Sequence, residues 1–395
     1  MYVGDESLKP LSKRVLALEP SPTLSVAEKA RKLLREGKKL VRFDVGEPGF
    51  NTPKHIVEAA IDALNKGYTH YTSSRGIHEL REAISKYYKD NFNVPVDPSS
   101  EIIVTPGSKF ALYAAIYSIV DEGDEVILLT PSYATYWPII KLAGGKVVEV
   151  NCKDSFKLDE EKLKEAVSNR SKAILVNSPN NPTGGVLSKS DFKIISDIAC
   201  DHDLYVISDE IYRLLVYGNL KPFTALTMDN LRNRLIVLDG FSKAWAMTGW
   251  RLGFAIAPEN IISMMNKIQQ NSTTCPAAFV QMAGITALLS DQSCVRKMLE
   301  EYDRRRKMLV DGLNSIGGVK CQEPKGAFYA FPDLSSLGMN SIELAENLLL
   351  EEGICTVPGS VFGPGGEGHL RLSYGSTDKI VEGIEGIRRF VERRL

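Results

Sequence analysis

The sequence is poor in patterns that bind metals. Its five histidines, His55, His70, His78, His202 and His369, are scattered and form no HExxH pattern. Its six cysteines, Cys152, Cys200, Cys275, Cys294, Cys321 and Cys355, form no CxxC pair and no Cys/His cluster. A zinc or iron centre is therefore not expected, and free thiols fit a reducing compartment. No apolar run reaches the roughly 18 residues that a membrane-spanning helix needs. The N-terminal stretch MYVGDESLKPLSKRV is polar and has no apolar core, which argues against a secretory signal. These absences give cytoplasm as the expected location. Charge of one sign is also missing. Lys and Arg number 48 and Asp and Glu 49, a net of -1, so neither nucleic acid binding nor an acidic tail is indicated. There is no internal repeat and no low-complexity linker.

What remains is ordinary in bulk: 395 residues, 44% hydrophobic and 25% charged, enough for about two domains. Seven short apolar runs rich in β-branched residues occupy the middle of the chain. They are EIIVT (101–105), EVILL (125–129), KVVEV (146–150), KAILV (172–176), LYVIS (204–208), RLIVL (234–238) and RLGFAIA (251–257). Helical patterns separate most of them, such as Phe110 to Val120 and Asp191 to Asp201. Strands alternating with helices predict an α/β domain over 50–285, with a mostly parallel sheet flanked by helices. After 286 the chain turns to long charged amphipathic stretches and a few short strand patterns. Residues 286–395, joined by 1–49, predict a smaller α+β domain.

In doubly wound sheets, ligands bind beyond the carboxyl ends of the strands. The residues that follow the strands are therefore the candidates. Pro106-Gly107-Ser108-Lys109 precedes an apolar helix, and a glycine turn at a helix start suits a phosphate. An ordinary N-cap at Ser108 explains the same string. Asn177-Ser178-Pro179-Asn180-Asn181-Pro182-Thr183-Gly184 makes a rigid polar loop able to hold an amide against a ligand oxygen, where the bland reading is a turn. Asp209 ends a buried strand, which is costly without a positive partner, whether a protonated ring nitrogen or a plain salt bridge. Tyr212 lies three residues on. Lys243 sits among Phe241, Ala244, Trp245 and Ala246, and a desolvated lysine becomes a nucleophile toward aldehydes. Arg251, eight residues later, can clamp a phosphate as a fork.

Taken in order, these motifs resemble the class I aminotransferases of the fold-type-I pyridoxal-phosphate family, most of all its prokaryotic aspartate aminotransferase branch. The resemblance runs from Leu11 to the C-terminus. It includes Gly46-Glu47-Pro48, Tyr71-Thr72 with Gly76 to Arg81, Asn177 to Gly184, Asp209 to Tyr212, Ser242-Lys243 to Arg251, and Arg371-Leu372-Ser373-Tyr374. It implies pyridoxal 5′-phosphate as cofactor, Lys243 as the Schiff-base lysine and proton shuttle, and Asp209 as partner of the pyridinium nitrogen. Tyr212 and Asn181 resemble the donors to the ring's phenolic oxygen. Gly107, Ser108 and Arg251 resemble the phosphate cup, with Lys109 beside it. Tyr71 resembles the residue that reaches the neighbouring subunit's phosphate, which implies a homodimer. Arg371 resembles the arginine that grips the substrate α-carboxylate, and Gly46 a backbone contact to the same group. Tyr133 stands where close relatives stack a tryptophan on the ring, and a tyrosine face can still stack. Gly240 replaces a serine that touches phosphate, so Ser242 is an uncertain ligand.

The implied reaction moves an amino group from an L-amino acid to a 2-oxo acid such as 2-oxoglutarate, by a ping-pong mechanism. Lys109 favours aspartate and glutamate if it reaches a distal carboxylate; otherwise it faces solvent. Tyr133, Tyr136, Trp137 and Phe328 could instead line a pocket for aromatic or aliphatic side chains. Glu19, in the segment 19–23 expected near the site, would disfavour acidic substrates if it pointed inward. The same fold hosts carbon–sulfur β-lyases with the same cofactor residues, which is the alternative. A ligand-sensing regulator would carry a DNA-binding module, and no basic helix-turn-helix segment is found in these residues. Gly363 to Gly368 fits GxGxxG, but it contains proline and runs into a strand pattern, so a loop is expected there.

Overall fold

All seven apolar runs become strands of one sheet in the computed structural model, which describes residue 9 and residues 11–20, 22–152 and 156–395. Residues 1–8 of the smaller expected unit, and Ser21, lie outside the described residues. The strands are β1 (Ile102–Thr105), β2 (Glu125–Thr130), β3 (Lys146–Asn151), β4 (Ser171–Asn177), β5 (Tyr205–Asp209), β6 (Leu235–Gly240) and β7 (Gly253–Ile256). Their order in the sheet is β1-β7-β6-β5-β4-β2-β3. The pairs β2–β3, β2–β4, β4–β5 and β5–β6 are parallel, and β7 runs antiparallel to both β1 and β6. The reversal of β7 has a simple cause. The segment 241–252 that joins it to β6 contains no helix, and a parallel return is usually made by a helical crossover.

The strands are buried on both faces except at the edge strand β3. Successive side chains alternate between two cores, as a pleated strand requires. Ile207 of β5 and Leu238 of β6 face helices Ser108–Ile119 and Glu259–Gln270, which contribute Ala111, Leu112, Ile262 and Met265. Val206 and Val237 face helices His78–Phe92, Lys189–Asp201 and Ala278–Leu289, through Tyr88, Phe192 and Ala283. This is a helix–sheet–helix sandwich of the α/β class.

A further core joins Val41 and Phe43 to Leu309, Leu348, Leu372 and Phe390. It lies beside an antiparallel trio of short strands, Val357–Pro358, Leu370–Ser373 and Tyr329–Ala330, and a parallel pair, Val41–Arg42 with Ile354–Cys355. Helix Ser293–Asn314 links the cores: Val295 belongs to the sheet side and Met298 onward to the other. Helix Ala278–Leu289 crosses residue 285 without a break and packs on the sheet side, against helices Lys54–Asn65 and His78–Phe92. Residues 363–368 hold a short 3-10 turn, Pro364–Gly366, and no α-helix follows before the strand Leu370–Ser373. Among the described residues no helix is long and apolar enough to cross a membrane.

Candidate functional site

Strand alternation decides what reaches the carboxyl edge of the sheet. Asp209, the last residue of β5, falls on the Ile207 side. There it faces a cavity of about 700 Å³ between the sheet edge and the smaller core. After β6, the turn is anchored by the buried side chains of Phe241, Ala244 and Trp245. That anchoring leaves Lys243 half-buried and turned to the cavity. Loss of water lowers its amine to about 8, helped by the positive charges of Arg371 and Arg251 and opposed by Glu47 and Asp209. Lys243 Nζ donates a hydrogen bond to the carbonyl of Gly46 at 2.6 Å. An amine that is partly neutral near pH 7 is a usable nucleophile and base.

Asp209 shows the opposite imbalance. Burial raises its carboxyl to about 6, although the Tyr136 hydroxyl donates to Oδ2 at 2.7 Å and the Ile211 N–H to Oδ1 at 3.2 Å. Among the described residues, no lysine or arginine forms an ion pair with it. The polar loop next to it is tied down from within. Asn177 donates to the Asp209 carbonyl at 3.1 Å and accepts from Asn181 N–H at 2.9 Å, while Asn180 holds Thr183 and reaches the Pro131 carbonyl. The Asn181 side chain is thereby presented to the cavity. Tyr212 OH meets Tyr329 OH at 2.7 Å, and Tyr329 reaches the Gly46 carbonyl at 3.4 Å.

At the other end, Gly107 is the cap of helix Ser108–Ile119, with φ 85, and Ser108 is the first helical residue. The N-cap reading of Ser108 therefore fails, and the first N–H groups of the helix have no side-chain cap. A Cβ on residue 107 would come within 2.6 Å of Arg251 Nη2, so only glycine lets the guanidinium close over the helix start. Arg251 itself holds φ 55, a left-handed conformation that costs a non-glycine residue roughly 1–2 kcal/mol. Its Nη1 donates to the Thr248 carbonyl at 3.0 Å. Ser242 is buried beside it on the cavity wall.

Arg371 is 3% exposed. Nη2 donates to the Asp44 carbonyl at 2.7 Å and Nη1 to Asn181 Oδ1 at 3.3 Å. The guanidinium lies over the Tyr329 and Phe362 rings at 4.8 and 5.3 Å, and its Nε has no partner among the described residues. A buried guanidinium without an anion is expensive, and a planar carboxylate supplies what is missing.

Gly46, Tyr133 and Lys109 also line the cavity. Lys109 is exposed, with Nζ 5.6 Å over the Tyr133 ring. Tyr71 does not line it and is 87% exposed. Thr23 of the segment 19–23 lines the cavity, while Glu19 lines a neighbouring cleft of about 650 Å³ and does not face a ligand in the Lys243 cavity. Two expectations need correction. Trp137 lines that neighbouring cleft instead, and so does not wall the Lys243 cavity. Phe328 is fully buried beneath Tyr212, with ring centroids 5.5 Å apart, because its neighbours pack it into the smaller core. Other residues were missed. Arg42 grips Asp44 through two bonds of 2.6 and 2.7 Å, fixing the strap whose carbonyls hold Arg371 and Lys243. Arg31 on helix Pro22–Arg35 also lines the cavity. Only the nearby Gly46-Glu47-Pro48 string pointed toward that strap.

The donor set fits pyridoxal 5′-phosphate. An aldehyde meets a partly neutral amine, a protonated ring nitrogen would offset the unpaired Asp209 carboxyl, and a phosphate suits uncapped N–H groups under Arg251.

Residues 38–387 match the family described as aminotransferase class I and II. The chain is 42% identical to an aspartate aminotransferase of Pyrococcus abyssi over 90% of this chain and 93% of the relative. It is 38% identical to aromatic-amino-acid aminotransferase 2 of Thermococcus litoralis, over 97% and 99%. The solved structure of Thermus thermophilus aspartate aminotransferase with maleate superposes with a TM-score of 0.91 at 40% identity, covering 97% of this chain and 100% of that one.

Proposed function

The chain belongs to the class I and II aminotransferase family, and on that premise we propose that it takes the amino group from an acidic L-amino acid and gives it to a 2-oxo acid such as 2-oxoglutarate. It is an amino-acid transaminase. Its cofactor, pyridoxal 5′-phosphate, supplies when bound an electron sink for the carbanion formed at the substrate Cα. Asp209, Asn181 and Tyr212 would hold its ring, with Tyr133 beside them, and Gly107, Ser108, Ser242 and Arg251 would hold its phosphate, next to Lys109.

Arg371 binds the α-carboxylate, aided by the backbone of Gly46, and so orients the Cα–H bond toward Lys243. Lys243 takes that proton at Nζ, because its lowered pKa of about 8 leaves part of the amine neutral near pH 7, and later delivers it. Asp209, kept dry and held by Tyr136 and the Ile211 N–H, favours a proton on the group it faces. The observation that carries the reading is one cavity holding a partly neutral amine, a buried carboxyl without a cation and a buried guanidinium without an anion.

The acidic preference rests on Lys109, a cation on the cavity wall with no ion pair among the described residues, and on the aspartate aminotransferases among the relatives. The test is kcat/KM for aspartate and phenylalanine in the native enzyme and in Lys109→Gln. Loss of a charged hydrogen bond to a distal carboxylate should cost aspartate about 10- to 100-fold and phenylalanine little. Equal losses, or a native preference for phenylalanine, would overturn the acidic reading. Release of pyruvate and ammonia without any oxo acid would point to lyase chemistry.

The same reading makes the enzyme a homodimer of the cytoplasm. Tyr71, exposed and outside its own cavity, is free to serve a second subunit, and all six thiols are unpaired. The cores on the two sheet faces support a large domain near 50–285, and the further core supports a small one from both chain ends. Sedimentation of the native protein tests the dimer.

A further inference from the structure

Behind the cavity, on the Val237 side of the sheet, lies a dry ion cluster that the reaction does not use. Arg213 and Asp239 have side chains 2% and 5% exposed. Arg213 Nε and Nη2 both donate to Asp239 Oδ2, at 3.1 and 2.6 Å, and the Tyr88 hydroxyl donates to the same oxygen at 3.2 Å. Asp239 Oδ1 accepts from Gly240 N–H at 2.7 Å. The guanidinium is caged by the rings of Tyr87, Tyr88 and Phe92 at 5.3, 5.0 and 4.8 Å. Its Nη1 also donates to Tyr87 OH at 3.4 Å. Glu210 stands nearby, 3.8 Å from Arg213 Nε, while its Oε1 accepts from Ala225 N–H and Ser208 OH.

The position of this cluster matters more than its strength. The last backbone bond between the chains leaving β5 and β6 is Glu210 N–H to the Leu238 carbonyl at 2.8 Å. Beyond it, the turn 209–215 and the loop 239–246 share no backbone hydrogen bond among the described residues. The first carries Asp209 and Tyr212 into the cavity; the second carries Lys243. The Arg213–Asp239 contact is the polar tie between them. A buried pair adds little net stability compared with apolar packing of the same volume, so stability alone is a weak reason for placing one here. Burial pushes Glu210 up to about 7, and it stands 3.8 Å from Arg213 where Asp239 stands at 2.6 Å, so Asp239 is the nearer partner of Arg213.

We infer that Arg213, fixed by Asp239, is a positioning residue that sets the placement of Lys243 against Asp209 and Tyr212. This rests on the aminotransferase reading above. Arg213 touches neither substrate nor cofactor; it acts by holding two strand-end segments in register.

The test uses the enzyme loaded with pyridoxal phosphate and three variants: Arg213→Lys, Arg213→Met and Tyr88→Phe. The readouts are kcat, KM for aspartate, and the pH midpoint of the visible absorption band. That midpoint reports the surroundings of Lys243, where Glu47, Arg371, Arg251 and Asp209 set the charge. Arg213→Lys keeps the charge of the cluster around Glu210, Asp239, Tyr87 and Tyr88 but loses the fork. It should lower kcat about 10-fold, with KM within about twofold, and displace the midpoint, as expected of small misplacements of reacting groups. Arg213→Met should cost on the order of 100-fold and Tyr88→Phe about twofold. If Arg213→Met does not fold, the other two variants decide. Native kcat and midpoint in Arg213→Lys, whatever its melting temperature, would overturn the inference. A native enzyme whose band ignores every amino acid would instead overturn the aminotransferase reading, and this inference with it.

Discussion

Arg371 and Arg213 are buried to nearly the same depth, 3% and 2% exposed, yet they are satisfied in different ways. Arg213 has a carboxylate, Asp239, within 2.6 Å. Arg371 has a carbonyl, an amide oxygen and two aromatic rings, and its Nε has no partner among the described residues. The acids repeat the contrast. Asp239 has its cation, while Asp209, one strand end away in sequence and in space, has hydrogen bonds but no ion pair among the described residues. Stripping water from an ion costs several kcal/mol, so a fold that tolerates unpaired buried charges keeps them for partners that arrive from outside. The cluster behind the sheet is finished within the chain. The cleft in front is finished by its ligands.

The contrast can be attacked from both sides. The largest effect should come from the finished side. Asp239→Asn leaves Arg213 without its anion in a dry site, and urea unfolding should show a loss of about 3–5 kcal/mol. On the open side the signs should separate. Arg371→Gln should lower kcat/KM for the amino donor on the order of 100-fold, as expected for a lost charged contact to a carboxylate. Its unfolding midpoint should stay the same or rise, because an unpaired charge is gone. If both variants lose stability alike, the contrast is broken.

A smaller effect separates the two acids by pH. The Asp209 carboxyl is raised from the usual carboxylate value to about 6, so without cofactor the native state binds more protons than the unfolded chain between about pH 4 and 6. Stability then falls as pH rises through that window, and the penalty is complete above about 6. A cation supplied by the cofactor removes it. Thermal stabilisation by pyridoxal phosphate should thus be larger at pH 7.5 than at pH 5, by roughly 1 kcal/mol or more. Asp209→Asn should abolish that extra pH dependence. An unchanged difference in Asp209→Asn would assign the effect to some other group.

Much of the open side was legible in the sequence, and little of the finished side. Seven β-branched runs announced the sheet, and the rule that ligands bind beyond strand ends pointed to Gly107, Asn181, Asp209 and Lys243 without any contact being known. Strand alternation separates Asp209 in front from Asp239 behind, but only once the register of the two strands is known. The reversed β7 was also out of reach, because run composition does not give direction. Contacts that join distant segments left no trace. Tyr136 lies 73 residues from the Asp209 it holds, and Tyr88 is 151 from Asp239. The segment 19–23 was expected near the site, and its Thr23 lines the Lys243 cavity, while Glu19 lines the next cleft, with Lys109 on the wall between the two.

The visible absorption of the protein loaded with pyridoxal phosphate offers the most direct test of Lys243 and its cleft. Aspartate should abolish the band, 2-oxoglutarate should restore it, and the cycle should repeat, while Lys243→Ala should not turn over. A band that persists in every amino donor, or an equal cycle in Lys243→Ala, would contradict the assignment of Lys243 as the working amine of an aminotransferase.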